Sequence, residues 1–183
     1  MQFVFLESTG NVPDFNPGPF YDIAYPLHSI LRYVLLGLMV WAIMLASKGR
    51  KTDGLAGTLK RPAMLTMIAF DIQFLLAIYL WVVNFFHVAG YKKGADDGFL
   101  GMFTNVKRTL KVPTERAILF EHSLIMLIAL VLIHIGYAKF KRAANDQQKS
   151  KRIFTFYTAA LVLVVLGIVY VMISAERGLL PAL

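Results

Sequence analysis

Three ionisable side chains lie within a stretch that is otherwise apolar enough to cross a membrane. They are Glu121, His122 and His134, all inside the run Arg116–Ala138. A charged or protonatable group at membrane depth is costly unless it finds a partner or water. Carboxylate and imidazole groups pair with cations, bind metals and relay protons. Their presence on one helix therefore predicts either a functional site or polar pairing inside a helix bundle.

Other polar residues reach a similar depth on the two preceding apolar runs. His28 and Arg32 are four residues apart and share one helix face. Gln73 begins a stripe at helical spacing that leads up to Asn84 and His87. Depths follow from the rise of about 1.5 Å per helical residue. The outer cluster predicted from this common depth comprises His28, Arg32, Asn84, His87, Glu121 and His122.

Two of the chemistries open to this outer cluster involve a metal. In one, His28 and His122 are axial ligands of a single b-type haem between the first and third apolar helices, with Arg32 near a propionate. In the other, His87 and Glu121 join the same two histidines as nitrogen and oxygen ligands of zinc, copper or iron.

Two further interpretations involve no metal. In one, the polar residues form a proton or quinone path that Asp71, Gln73 and His134 continue towards the opposite side. In the other, an ion pair between Arg32 and Glu121, with hydrogen-bonded histidines, only fixes the register of the helices.

The spacing of the histidines limits the number of haems. His122 and His134 are twelve residues apart, or roughly 120° around a helix of 3.6 residues per turn. They do not share a face, and no second histidine can pair with His134 at its own depth. Asp71 is about 200° around from Gln73. We therefore expect Asp71 to be protonated or to pair with His134 inside the bundle.

The elements that must position these residues are four apolar runs in a chain of 183 residues, 57% of them apolar, with a mean hydropathy of +0.60. A membrane-spanning helix needs about 20 apolar residues, and nothing in the sequence alternates as barrel strands would. The predicted fold is an all-α, four-helix, up-and-down transmembrane bundle forming one domain. Its predicted helices cover about 26–47, 62–87, 116–138 and 153–174.

The segments outside these helices have their own predictions. Residues 1–25 contain prolines, acids and aromatics and predict a coil on the outer side. Pro26 and Pro62 suit the first positions of helices 1 and 2. The connection Val88–Thr114 predicts a short interfacial helix around Leu100–Leu110. Thr114 is the expected N-cap of helix 3.

The charge distribution predicts the orientation. The net charge is +8, but the basic residues flank the helices, which favours topology signals and anionic headgroups over nucleic acid. Eleven Lys and Arg lie in the two short loops, so these loops should be cytoplasmic and both termini should face outward.

The chain has no cysteine, which excludes disulfides, thiolate metal sites and covalently attached haem. No cleavable signal peptide is evident at the N-terminus.

Three segments resemble a family of small four-helix membrane proteins of Bacteroidota that are often labelled cytochrome b or cytochrome b-like. They are LHSILRYVLL (Leu27–Leu36), IQFLLAIYLWVV (Ile72–Val83) and RAILFEHSLIMLIALVLIHIGYAKFKR (Arg116–Arg142). The family's His-Ser-x-x-Arg-Tyr motif falls on residues 28–33, its helix-2 glutamine on Gln73 and its Glu-His pair on Glu121 and His122. Family members tend to have histidine where this chain has Asp71.

The resemblance implies haem binding and electron transport in a bacterial inner membrane. It implies an electron carrier, or an accessory subunit of a larger membrane redox complex such as a respiratory chain complex, more readily than a stand-alone enzyme. Binding of a quinone and assembly into a homo-oligomer are left open by the sequence.

Overall fold

The computed structural model describes residues 19–90, 106, 107 and 109–174, with the side chains of 86–90 outside this description. The described residues form four long helices, and each contains an apolar window long enough to cross a membrane. This confirms the predicted all-α, four-helix transmembrane bundle. The helices are α1 (Pro19–Gly49), α2 (Ala56–Gly90), α3 (Pro113–Arg142) and α4 (Asp146–Ser174).

Each helix packs against the helices next to it in the chain, and α1 also packs against α4. α1 packs against α2 and α4, while α3 packs closely against α4 and more sparingly against α2. Within the described ranges no Cα atom of α1 comes within 8 Å of α3. α1 and α3 therefore face each other diagonally, which is usual for the first and third helices of an up-and-down bundle.

The first two helices begin earlier than their prolines predict. α1 begins at Pro19, and Pro26 lies inside it; α2 begins at Ala56, and Pro62 lies inside it. A proline in a helix interior removes one backbone donor. In a membrane the remaining backbone groups must still be bonded within the helix, so the helix continues through the proline. The coil predicted for residues 1–25 is thus helical from Pro19 onward, and residues 1–18 lie outside the described ranges.

The start of α3 also differs from the prediction. Its N-cap is Val112, with Pro113 in the first turn, so the N-cap predicted at Thr114 is wrong. Proline suits this position because its missing N–H would have no helical partner there. The Thr114 hydroxyl instead donates to the carbonyl of Ser174 at the end of α4, at 3.1 Å. Of the predicted interfacial helix, one helical turn is described, closed by a 2.9 Å bond from the Leu110 N–H to the Val106 carbonyl.

The main core occupies the middle of the bundle and the end that carries the α1–α2 and α3–α4 loops. Small residues there let the helices approach closely. Ala42, Ala129 and Ala160 are fully buried. A Cβ atom added at Gly136 would lie 2.7 Å from the Cβ of Phe156 on α4. Close backbone approach at small residues is a main source of helix association in lipid. At the opposite end, where the predicted cluster lies, a smaller apolar cluster of Tyr21, Ala24 and Leu80 packs beside the polar side chains.

Candidate functional site

Helix α3 changes its hydrogen-bonding pattern where the outer cluster begins. It is α-helical over Pro113–Arg116, π-helical over Ala117–His122, and α-helical again from Ser123. π-Helical turns make up well under 1% of residues and are frequent at functional sites. The sequence-based interpretation missed this feature. The one signal in the sequence was the pair of ionisable residues Glu121 and His122. Their positions do not predict that the backbone is π-helical there.

The π turn aligns an ion pair that an α-helix would separate. Residues five apart in an α-helix lie about 140° apart, whereas i→i+5 bonding brings them onto one face. Arg116 Nε accordingly lies 2.9 Å from Glu121 Oε1. The Tyr170 hydroxyl of α4 donates to the other carboxylate oxygen, Oε2. Sequence reasoning identified neither partner, having considered only Arg32 for this carboxylate.

His122 is oriented by the neighbouring helix. Its Nδ1 lies 3.3 Å from the carbonyl oxygen of Gly167 on α4. When Nδ1 carries the proton that this bond requires, Nε2 retains the lone pair that binds metals. Gly167 is buried, and a Cβ atom there would lie 3.7 Å from this Nδ1 and 2.8 Å from Met126 Cε. The absence of a side chain at Gly167 thus leaves room for Met126, which lies on the same helix as His122.

His28 presents a buried imidazole nitrogen to the same region. Its Nδ1 is buried and has no hydrogen-bond partner among the described residues. His122 and Arg32 lie near enough for their charges to act on it. The structure therefore brings together His28, Arg32 and His122, although α1 and α3 are diagonal in the bundle. A buried polar atom without a partner costs about 1–3 kcal/mol and calls for a water, an ion or a ligand.

Gln73 fixes the level of His28 on α1. Its Nε2 donates to the backbone carbonyl of His28 at 2.8 Å, and the Gln73 side chain is buried. Its Oε1 is a second buried atom without a partner in the described ranges. His28 Nδ1 on α1 and Gln73 Oε1 on α2 are thus two buried polar atoms without a described partner, and they lie on adjacent helices.

Two further polar contacts tie α2 to the site. Trp81 Nε1 donates to the carbonyl of Leu119, inside the π turn, at 2.6 Å. Asn84, predicted as a cluster member, accepts a hydrogen bond from the Tyr21 hydroxyl at 3.2 Å and donates to the carbonyl of Leu80. Asn84 therefore joins α2 to the start of α1.

The alternative site for zinc, copper or iron depends on His87. This residue lies in α2, but its side chain is outside the described set. Among the described residues, no group of three or more histidine and carboxylate side chains is placed to hold a metal ion. The described part of the cluster therefore contains two imidazoles at one level, the number that a haem iron needs.

Asp71 and His134 lie within ion-pair distance, which is one of the two arrangements that the sequence left open, but they do not pair inside the bundle. His134 Nε2 lies 3.3 Å from Asp71 Oδ1, and His134 Nδ1 lies 3.1 Å from the carbonyl of Leu130. The pair joins α2 to α3 where these helices pack sparingly. Its side chains are 42% and 45% exposed, so it faces outward between the helices and not into the core. Gln73, expected on the same path, bonds to α1.

The double replacement of this pair should be less destabilising than either single replacement. Asp71→Leu or His134→Leu alone leaves a polar partner facing lipid and should lower the free energy of unfolding by about 1–3 kcal/mol. The double variant removes both groups and should recover most of that loss. Reversible unfolding in mixed detergent micelles, followed by circular dichroism, measures all three. A double variant as unstable as the sum of the singles would contradict the pairing.

These features define a multi-pass membrane protein, a four-helix bundle with two histidines and several polar side chains near the end that carries the connection between α2 and α3. The chain matches no family model, no curated protein and no solved structure in the comparisons made with each. Its function must therefore be argued from the site itself.

Proposed function

We propose that the protein is a b-type, cytochrome-like membrane protein that binds one haem between α1 and α3, with His28 and His122 as the axial ligands. The proposal depends on one observation. The Nδ1 atom of His28 is buried and has no hydrogen-bond partner in the described ranges, and the charge of a second imidazole, His122 on the diagonally opposite helix, acts on it.

The residues present suit this group. Two imidazoles from two helices match an iron with two axial positions, and side chains on facing helices form the cofactor sites of bundles. Haem, when bound, supplies a one-electron redox centre. The carbonyl of Gly167 would hold His122 in a fixed orientation, as hydrogen-bonded partners do for ligating histidines.

The charged residues near the histidines have supporting roles in this proposal. Arg32 acts on His28 electrostatically and would compensate a propionate carboxylate. Glu121 is held by Arg116 and Tyr170 and fixes the turn of α3 from which His122 projects. In this proposal both residues position or neutralise other groups and neither takes part in electron transfer.

The proposed setting is a bacterial inner membrane, with both termini on the outer side. The protein would work beside a larger membrane redox complex or as a homo-oligomer, with a quinone as one candidate electron donor or acceptor. The basic short loops support this orientation through the positive-inside rule.

A second candidate is a non-catalytic accessory subunit whose polar cluster only fixes helix packing. The interhelical hydrogen bonds favour it, because three polar side chains of the described residues each join two helices. Gln73 joins α2 to α1, Trp81 joins α2 to α3, and Tyr170 joins α4 to α3. A polar network of this kind needs no cofactor to specify the arrangement of helices.

An absorption spectrum separates the two candidates. The full chain, purified in detergent after expression with added haem precursor, should be red, with a Soret band and a reduced-minus-oxidised α band at about one haem per chain. The pyridine haemochrome assay measures the stoichiometry. A colourless preparation that retains its helical circular dichroism would refute the haem proposal and favour the accessory subunit.

A further inference from the structure

The end of the bundle that carries the α1–α2 and α3–α4 loops has far more cations than anions. Across residues 48–61 and 139–152 there are eleven lysines and arginines but only Asp53 and Asp146 as acids. Asp146 is already engaged, because it accepts from the Gly54 N–H at 3.2 Å and lies 3.5 Å from the Lys149 ammonium. Most of the positive charge at this end is therefore left uncompensated by the chain itself.

Part of this charge converges on two neighbouring cavities. The first, of about 270 Å³, is lined by the side chains of Lys139, Arg142 and Arg152, with Gln148. The second, of about 280 Å³, is lined by Arg50 and Lys151 with three amide side chains, one of which is again Gln148. Neither cavity is lined by a carboxylate.

The helix ends explain why the first cavity is cationic. Lys139 and Arg142 are three apart in the last turn of α3, and Gln148 and Arg152 are four apart in the first turns of α4. A short turn brings these two faces together. In the described ranges neither Arg142 nor Arg152 has a carboxylate within 4 Å. The Lys139 ammonium lies 5.6 Å from the ring centroid of Phe156.

The position and size of the cavities indicate what they bind. They lie at the ends of two membrane-spanning helices, where the phosphates of a lipid leaflet lie. Their volumes are below the roughly 300–1,000 Å³ of pockets for drug-sized ligands, which suits a small charged group. Guanidinium groups are well matched to phosphate oxygens, with which they form paired hydrogen bonds.

We propose that these two cavities bind the phosphate groups of anionic phospholipid headgroups. Arg142 and Arg152 hold one phosphate in the first cavity, and Arg50 and Lys151 hold a second phosphate next to it, across Gln148. A free phosphate ion has the same chemistry but lacks acyl chains that lie along the helices. The site is separate from the histidines and does not depend on haem binding.

The test uses the full chain in detergent and native mass spectrometry to count bound molecules. The probes are phosphatidylglycerol, a two-phosphate cardiolipin, zwitterionic phosphatidylcholine and inorganic phosphate. We expect the first two to remain bound and the last two to bind at least tenfold more weakly. Arg142→Gln with Arg152→Gln should weaken binding about 25-fold, since each cation near the surface contributes about a fivefold factor.

The matched control is Lys60→Gln with Arg61→Gln. It removes the same charge from the same end of the bundle, and both side chains are exposed and outside the two cavities. We expect it to weaken binding less than threefold. The charge-conserving pair Arg142→Lys with Arg152→Lys should retain binding within about fivefold, which separates loss of charge from loss of fold. Equal weakening by the control pair, or equal affinity for phosphatidylcholine or inorganic phosphate, would overturn the proposal.

Discussion

Replacing His28 or His122 with alanine is expected to abolish the haem absorption of the purified protein, whereas replacing His134 should leave it unchanged. The charge of His122 acts on His28, and under the proposal the loss of either imidazole would remove one of the two haem ligands. His134 is bonded to Asp71 and to the Leu130 carbonyl on another face of α3, twelve residues away. The difference between these variants is the largest effect that the proposal predicts.

The measurement is the reduced-minus-oxidised spectrum, normalised to protein by amino-acid analysis. Circular dichroism of each variant checks that the helices are retained. Gly167→Val should give an intermediate result, because its side chain crowds Met126 and the His122 ring without removing a ligand. We expect reduced haem content or a shifted α band for this variant. Full haem content in His122→Ala, or the same loss in His134→Ala, would rule out the assigned ligands.

The sequence was sufficient to predict the bundle because the physics of lipid is restrictive. Apolar runs of the right length without charges have few alternatives to spanning helices. The pairing of Asp71 with His134 was predictable for the same reason, since two ionisable groups at one depth in lipid need each other. That this pair faces outward was not predictable, because the packing of α2 against α3 depends on the shape of every side chain between them.

The prolines show where local rules failed. Pro26 and Pro62 resemble ordinary helix starts, but both lie inside longer helices. The preference for proline in the first turn is worth a few kcal/mol at most, and in a bilayer the need to bond every backbone group outweighs it. The N-cap predicted at Thr114 was also wrong, because the helix begins one residue earlier, at Pro113.

The π turn was beyond prediction for a different reason. Its six residues, Ala117–His122, have no composition that distinguishes them from an α-helix. The turn is stabilised by contacts that are distant in sequence, from Trp81 to the Leu119 carbonyl and from Tyr170 to Glu121. Sequence reasoning placed Glu121 beside His122 by depth but could not identify Arg116 as its partner, because five residues is the wrong spacing for an α-helix.

Replacing Glu121 with alanine should destabilise the outer half of the bundle by about 2–3 kcal/mol, the range for hydrogen bonds to charged groups. The change leaves the Arg116 guanidinium and the Tyr170 hydroxyl without their shared acceptor. Glu115→Ala is a matched control. Glu115 lies in the same helix start, and its buried Oε2 has no hydrogen-bond partner in the described ranges. Removing it should change stability little or raise it.

A double-mutant cycle tests whether the π turn is what joins Arg116 to Glu121. If the pair is coupled, Arg116→Ala combined with Glu121→Ala should cost less than the sum of the two single changes, by about 0.5–2 kcal/mol. Reversible unfolding in mixed micelles supplies the values, and amide hydrogen exchange over residues 117–122 reports on the turn itself. Additive single effects, with unchanged exchange in that segment, would show that the ion pair does not stabilise the turn. With coupling, Glu121 acts through the backbone, because it stabilises the turn that carries His122.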